Sequence, residues 1–205
     1  MGEDHKQSDI SVIGRPESAA RPLRVGVTGH TDLSRTTVRL VTADLRDQLR
    51  RMRRAVLGES RPLIGVSCLA PGADCVFAEV VLALDGSLEV ILPSADYADS
   101  QIPDRYAPVF HGLLRRAGSV RTAGWANAGP RAYAAANEMM LDSVDRLVAV
   151  WSGAQSGQLG GTAHAVSAAR ARRIPVTVIW PEGSRRGRPP APAEPADDVV
   201  PRRAA

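Results

Sequence analysis

Lysine is almost missing from this chain. Lys6 is the only one, so 25 of the 26 basic residues are arginine. A GC-rich genome produces that bias without selection for a partner, and the net charge of +4 is therefore weak grounds for a nucleic-acid reading. The densest basic cluster, Arg50, Arg51, Arg53 and Arg54, falls near the end of an expected helix, where cations complement the dipole. Aromatic residues make up only 4% of the chain, and no aromatic-plus-basic pattern for stacking bases occurs. Nucleic acid is thus an unlikely partner on sequence grounds. Cysteine is also scarce. Cys68 and Cys75, seven apart, match no metal-ligand spacing and form no disulfide framework. Both lie in apolar stretches and read as buried reduced thiols. No apolar run reaches the roughly 20 residues of a membrane helix. The polar stretch Met1 to Ala20 has no core of a secretory signal, so a cytoplasmic protein is expected.

The 205 residues suit one domain with tails. Residues 1–21 are polar and read as a disordered tail. From Pro181 onward the Pro/Arg-rich composition cannot bury a core, so 182–205 read as a second flexible tail. The folded part is then about 22–181.

Within it, apolar runs of strand length alternate with helical patterns. Strands are expected at Leu23 to Thr28, Leu63 to Ser67, Leu88 to Leu92 (ended by Pro93), Ser119 to Thr122, Arg146 to Trp151 and Pro175 to Trp180. The first helix runs from Ser34, its N-cap, to Leu57; Val38, Val41, Leu45, Leu49, Met52 and Val56 mark one face. Further helices are expected at Gly72 to Leu84, after Asp99 or Pro103, at Arg131 to Val144 and at Thr162 to Arg172. Such alternation with wholly apolar strands implies an α/β fold. We expect a Rossmann-like three-layer sandwich with a mostly parallel sheet of about six strands and helices on both faces. Ligands in such sheets bind outside the carboxyl ends of the strands, so the chemistry belongs to the strand-to-helix loops.

The loop after the first strand is Thr28-Gly29-His30-Thr31-Asp32. Gly29 permits a tight turn that exposes N–H groups. His30 can donate to a phosphate, cap the next helix or simply face solvent. The second loop ends in Gly72-Ala73-Asp74, where the small residues allow close approach; Asp74 fits helix capping and ligand contact equally. The third, Pro93 to Tyr97, either bounds a pocket or is a plain turn. The loop from Trp151 to Thr162 is the most informative. It leaves an apolar strand, contains Gly153, Gly157, Gly160 and Gly161, and ends at a helix. Converging N–H groups, the helix dipole and the Thr162 hydroxyl make an anion site. It has neither a Walker A lysine nor a Gly-x-Gly-x-x-Gly pattern. On the preceding helix Tyr133 and Asn137, four apart, share a face. They would stack on a ring and bond a ribose or base, unless Tyr133 packs in the core.

Val-Thr-Gly-His, then Leu-Ala-Pro-Gly-Ala-Asp, then Leu-Val-Ala-Val-Trp-Ser-Gly, then Gly-Gly-Thr follow in this order over about residues 22–180. This succession resembles the SLOG superfamily, which includes the lysine-decarboxylase-like LOG proteins, DprA-type proteins and nucleotide-sensing domains. The resemblance implies a Rossmann-like fold and a nucleotide-derived ligand, with Gly160, Gly161 and Thr162 on its phosphate. Related proteins often dimerise. LOG enzymes cleave a base from a nucleoside monophosphate with the signature Pro-Gly-Gly-x-Gly-Thr-x-x-Glu and an arginine on the preceding helix. Aligning Gly161-Thr162 with that signature puts Ala165 at the glutamate and Ala136 at the arginine. Ser152 stands where sensor-like relatives carry aspartate. The phosphate grip carries over and the hydrolytic pair does not.

The leading expectation is therefore a non-catalytic binder or sensor of a nucleotide-derived small molecule. It carries no metal or other cofactor, and a separate effector protein would read out its state. An N-glycosidase using Glu138 or Asp74, and a module whose arginine-rich tail contacts DNA, are the alternatives.

Overall fold

A strand that is apolar at every position needs cover on both faces, and that requirement organises this molecule. The computed structural model describes residues 21–54, 61–154 and 158–187. Its strands are β1 (Leu23–Gly29), β2 (Leu63–Ser67), β3 (Ser87–Ser94), β4 (Ser119–Trp125), β5 (Arg146–Val150) and β6 (Val176–Ile179). They form one six-stranded sheet, order β4-β3-β2-β1-β5-β6, parallel at every pairing. On β5, Val148 and Val150 join the core on one face and Leu147 and Ala149 the core on the other; all four are fully buried. The alternation of side chains along a strand does this automatically.

The helices are α1 (Arg35–Arg54), α2 (Ala73–Ala83), α3 (Tyr97–Gln101), α4 (Ala107–Arg115), α5 (Pro130–Leu141) and α6 (Thr162–Ala171). α1 and α2 pack on one face through Val41, Leu45, Leu49, Phe77 and Val81, and α4 extends that layer beside β3. α5 and α6 cover the other face through Met140, Leu141, Val166 and Ala169. Ser34 caps α1 as expected, its Oγ accepting from the Thr37 N–H at 3.2 Å. Arg53, from the basic cluster at the end of α1, donates to the carbonyls of Leu84 and Arg61 at 2.8 and 3.1 Å, so that residue ties loops together. Arg24 on β1 reaches Glu89 on β3 with two hydrogen bonds, at 2.9 and 2.7 Å, across the end of the sheet away from the ligand loops.

Several expected boundaries move. Pro93 does not end β3. The strand continues to Ser94, and the missing N–H is absorbed by a register shift against β4 between Leu92 and Ser94. β4 runs three residues beyond Thr122. It is an edge strand with all but one residue exposed, so no apolar pattern marks its length. The single helix expected after Asp99 or Pro103 is three pieces: α3, a 3₁₀ turn at Asp104–Tyr106, and α4. Pro103 holds Ile102 in the extended region, which breaks the helix there. Val56 and Leu57, expected in the first helix, lie outside the described residues, as do 1–20 and 188–205.

The folded part also extends past 181. Residues 182–187 turn back over the start of α1. Gly187 N–H donates to the Asp32 carbonyl at 2.8 Å and Ser34 N–H to that of Arg185 at 3.2 Å, and Leu33 and Arg186 form an antiparallel bridge. Backbone hydrogen bonds, rather than apolar burial, hold this strap, so its composition concealed it.

Gly29 shows why the strand ends meet where they do. A Cβ there would lie 2.5 Å from that of Ala73, 2.7 Å from the Val150 carbonyl oxygen and 2.9 Å from the Val150 Cβ. The residue is glycine for close approach of β1, β5 and the α2 start. Gly29→Ala is expected to destabilise the fold by about 1–3 kcal/mol through overpacking, read as a lowered urea midpoint with an unchanged slope.

Candidate functional site

The strand order reverses between β1 and β5, one branch of the sheet running to β4 and the other to β6. Outside the carboxyl ends of a parallel sheet, such a reversal opens a crevice. Here it opens into a cavity of about 740 Å³. The end of β1, the loops after β2, β3 and β5, and the start of α6 all line it.

Thr28, Gly29, His30, Asp74, Tyr133, Asn137, Gly160, Gly161 and Thr162 of the expected site residues reach this one cavity. Gly161 is the N-cap of α6 and Thr162 its first residue. The first-turn N–H groups of α6 have no acceptor within the helix, and its N-cap Gly161 and first residue Thr162 line the cavity. Gly160 adopts φ +79°, a left-handed conformation that favours glycine, and a Cβ there would meet the Tyr133 Cβ at 2.6 Å. That glycine seats the loop on α5. Asn137 completes the seat, its Nδ2 donating to the Gly160 carbonyl at 2.9 Å. Asn137, expected on a ribose or base, is thus buried and spends an amide N–H on holding the loop that leads into α6.

His30 takes a role the sequence did not suggest. Its Nε2 lies 3.1 Å from the Ser152 backbone N–H, which can only donate. Nε2 is therefore the acceptor, and the neutral ring carries its proton on Nδ1. The Ser152 Oγ lies 3.0 Å from the same nitrogen. Burial, then the guanidinium of Arg186, hold the imidazole below its ordinary pKa, with Asp32 opposing. His30 pins the first loop to the fifth as an uncharged acceptor, packed edge-on against Trp180.

Asp74 is buried, and its Oδ2 accepts from the Ser67 hydroxyl and the Cys68 N–H, both at 3.1 Å. It therefore organises its own loop while lining the cavity. Burial outweighs those hydrogen bonds and pushes its carboxyl up to about 6. Cys68 and Cys75 are both free thiols raised by burial; Cys75 is buried and Cys68 half-buried at the cavity wall.

Three expected residues do not line the cavity. Gly72 and Ala73 serve as packing. A Cβ on Gly72 would meet the His30 and Thr31 carbonyl oxygens at 2.6 and 2.7 Å, and Ala73 N–H donates to the His30 carbonyl at 3.0 Å. Gly153 is exposed, with nothing within 4 Å of a built Cβ. Glu138, the alternative acid/base, is likewise outside the cavity, ion-paired with Arg172 on α6. Ala136 and Ala165 are fully buried, so the positions of the LOG pair are occupied by core packing.

Beyond Tyr133, and Tyr97 at the end of the third loop, the cavity draws in Tyr106, Arg105 and Arg186, which the sequence did not single out. All three tyrosines of the chain line it: Tyr133, with Tyr97 and Tyr106 from the segment after β3. The Tyr133 hydroxyl donates to Gln101 Oε1 at 2.8 Å, and its ring meets that of Tyr97 edge-on. Arg105 and Arg186 bring the positive charge. Arg105 makes no ion pair among the described residues, while Arg186 pairs with Asp32. Neither had a signal: one follows a proline in a broken helix, the other sits in the expected tail.

Asp74 binds its proton more tightly folded than unfolded. Its contribution therefore favours the fold at low pH and is lost as pH rises from about 4 to about 6. Asp74→Asn is expected to gain stability relative to the parent across that window, approaching about 3 kcal/mol. Urea unfolding of both proteins at pH 4 and 7.5 measures the difference; a constant offset would refute the buried-carboxyl account.

No protein-family model and no curated protein matches the chain. Solved structures do. DNA processing protein A (DprA) from Streptococcus pneumoniae superposes with a TM-score of 0.56 at 15% identity, covering 78% of this chain. This chain spans 50% of that protein's length. DprA from Helicobacter pylori superposes with a TM-score of 0.56 at 16% identity, covering 81% of this chain and 69% of the other. At such identities the likeness establishes architecture alone: this chain carries a Rossmann-like fold similar to that of DprA.

Proposed function

We propose that this protein binds a phosphate-bearing, nucleotide-derived small molecule in the cavity at the β1/β5 reversal, and that it does so as a binder or sensor rather than a hydrolase. The observation that carries the reading is the open first turn of α6. It begins at Gly161-Thr162, is set on α5 by Gly160 and Asn137, and faces a cavity walled by three tyrosines. An anion at the helix start and a ring beside Tyr106 or Tyr133 suit a nucleotide. Ala136 and Ala165, buried in the core, support the non-catalytic half of the proposal. The expected homodimer and effector protein belong to the same reading.

Calorimetry with AMP, ADP-ribose and cyclic dinucleotides tests it. At least one is expected to bind, and Thr162→Val should weaken it by about tenfold, the worth of one hydrogen bond to a charged group. Silence across the panel would sink the proposal.

A second reading, single-stranded DNA, draws on two facts. The Helicobacter pylori structure is described as showing a single-stranded DNA binding mode. On the edge strand here Trp125 and Arg121 are 41% and 48% exposed, an aromatic and a cation in reach of a strand. A salt-sensitive oligonucleotide shift lost in Trp125→Ala would favour DNA; a shift unaffected by that change would remove this surface from consideration.

A further inference from the structure

The strap after β6 has a reason to be built. Nothing apolar anchors residues 182–187, yet they make a dense set of polar contacts with the β1–α1 connection. Thr37, fully buried, donates its hydroxyl to the Arg185 carbonyl at 2.8 Å and accepts from the Arg185 N–H at 2.7 Å. With the Ser34 and Gly187 bonds, this fixes the backbone on both sides of Arg186. The side chain so positioned lies on the cavity wall. Its Nε donates to both carboxylate oxygens of Asp32, at 2.9 and 3.1 Å. The two terminal nitrogens make no hydrogen bond among the described residues, leaving four N–H donors. Arg186 also lies close enough to His30 to depress it, and His30 touches Ser152 at the start of the loop that leads to α6. The strap therefore delivers a guanidinium to the wall that Asp32 and His30 form after β1, in the same cavity that the start of α6 lines.

We infer that Arg186 is a ligand-contacting residue of this cavity, and that the strap is the device that presents it to the anionic group of the ligand. Asp32 holds the guanidinium in place through Nε, and the terminal nitrogens meet the phosphate oxygens in the planar, two-pronged geometry that arginine offers and lysine does not. The inference rests on the anion-binding reading of the site but not on the nucleoside part of it.

The experiment uses the full chain and three probes: inorganic pyrophosphate, AMP and adenosine. Pyrophosphate and AMP are expected to bind the parent protein. Arg186→Ala should weaken both by about tenfold or more, with Arg186→Lys recovering only part of the loss. Thr37→Val, which removes two of the strap's hydrogen bonds while leaving Arg186 in the chain, should reproduce part of the loss. Any binding of adenosine should be unchanged in all three variants. Thermal melting separates Thr37→Val from a general loss of fold, and Arg186, whose side chain is 56% exposed, leaves no buried gap when truncated. Equal pyrophosphate affinity in parent and Arg186→Ala would overturn the inference while leaving the nucleotide reading intact. Pyrophosphate binding that depends on Arg186, with no binding of any nucleotide, would uphold the inference and overturn that reading. Absence of pyrophosphate binding by the parent would overturn the inference whatever AMP does.

Discussion

Everything at the carboxyl end of the sheet depends on how closely three loops are drawn together around Gly29. The absence of one side chain lets the Val150 carbonyl and the Ala73 methyl occupy the same small space. Backbone bonds then finish the junction: His30 N–H donates to the Val150 carbonyl at 3.1 Å, and the His30 carbonyl accepts from Ala73. Once these are made, the ends of β1 and β5 and the beginning of α2 are a single rigid corner. The His30 imidazole extends it to Ser152, and the strap leans on Asp32 beside it. On this side the wall is held by backbone bonded to backbone, with the His30 ring and the Asp32–Arg186 pair added to it.

The far side is built differently. Tyr97, Tyr106 and Tyr133 lean on one another and on Phe110, and Arg105 lies over the ring of Tyr106. This wall is side chain against side chain, carried by a segment that Pro103 has broken into short helices. A chain with few aromatic residues has concentrated half of them, these tyrosines and Trp151, around one cavity. One wall thus fixes position by hydrogen bonds, and the other offers polarizable surface.

What the sequence made legible follows from where information about burial is stored. β1, β2, β3 and β5 could be read directly, because strands covered on both faces carry runs of apolar residues along most of their length, and α1 because its one buried stripe recurs every three or four residues. β4 was read short because an exposed edge strand has no such constraint. The start of α6 was legible because glycines before a helix are unusual without a reason. The partners of His30, Asn137 and Asp74 were not legible, since a histidine, an amide and a carboxylate serve a loop or a ligand equally well until the fold chooses. The strap left no trace at all: main-chain hydrogen bonds are indifferent to side-chain identity, and Ser-Arg-Arg-Gly reads the same whether bound or free.

The strap also ties the last described residues to the first helix. Thr37 waits for Arg185, a partner 148 residues later in the chain. A ribosome releases the whole six-stranded sheet before it releases the segment that closes over the first helix. The sheet is complete at Ile179, so β6 can pair with β5 before the strap is within reach of α1. The part of the cavity wall that Arg186 supplies is therefore the last to be laid down among the described residues.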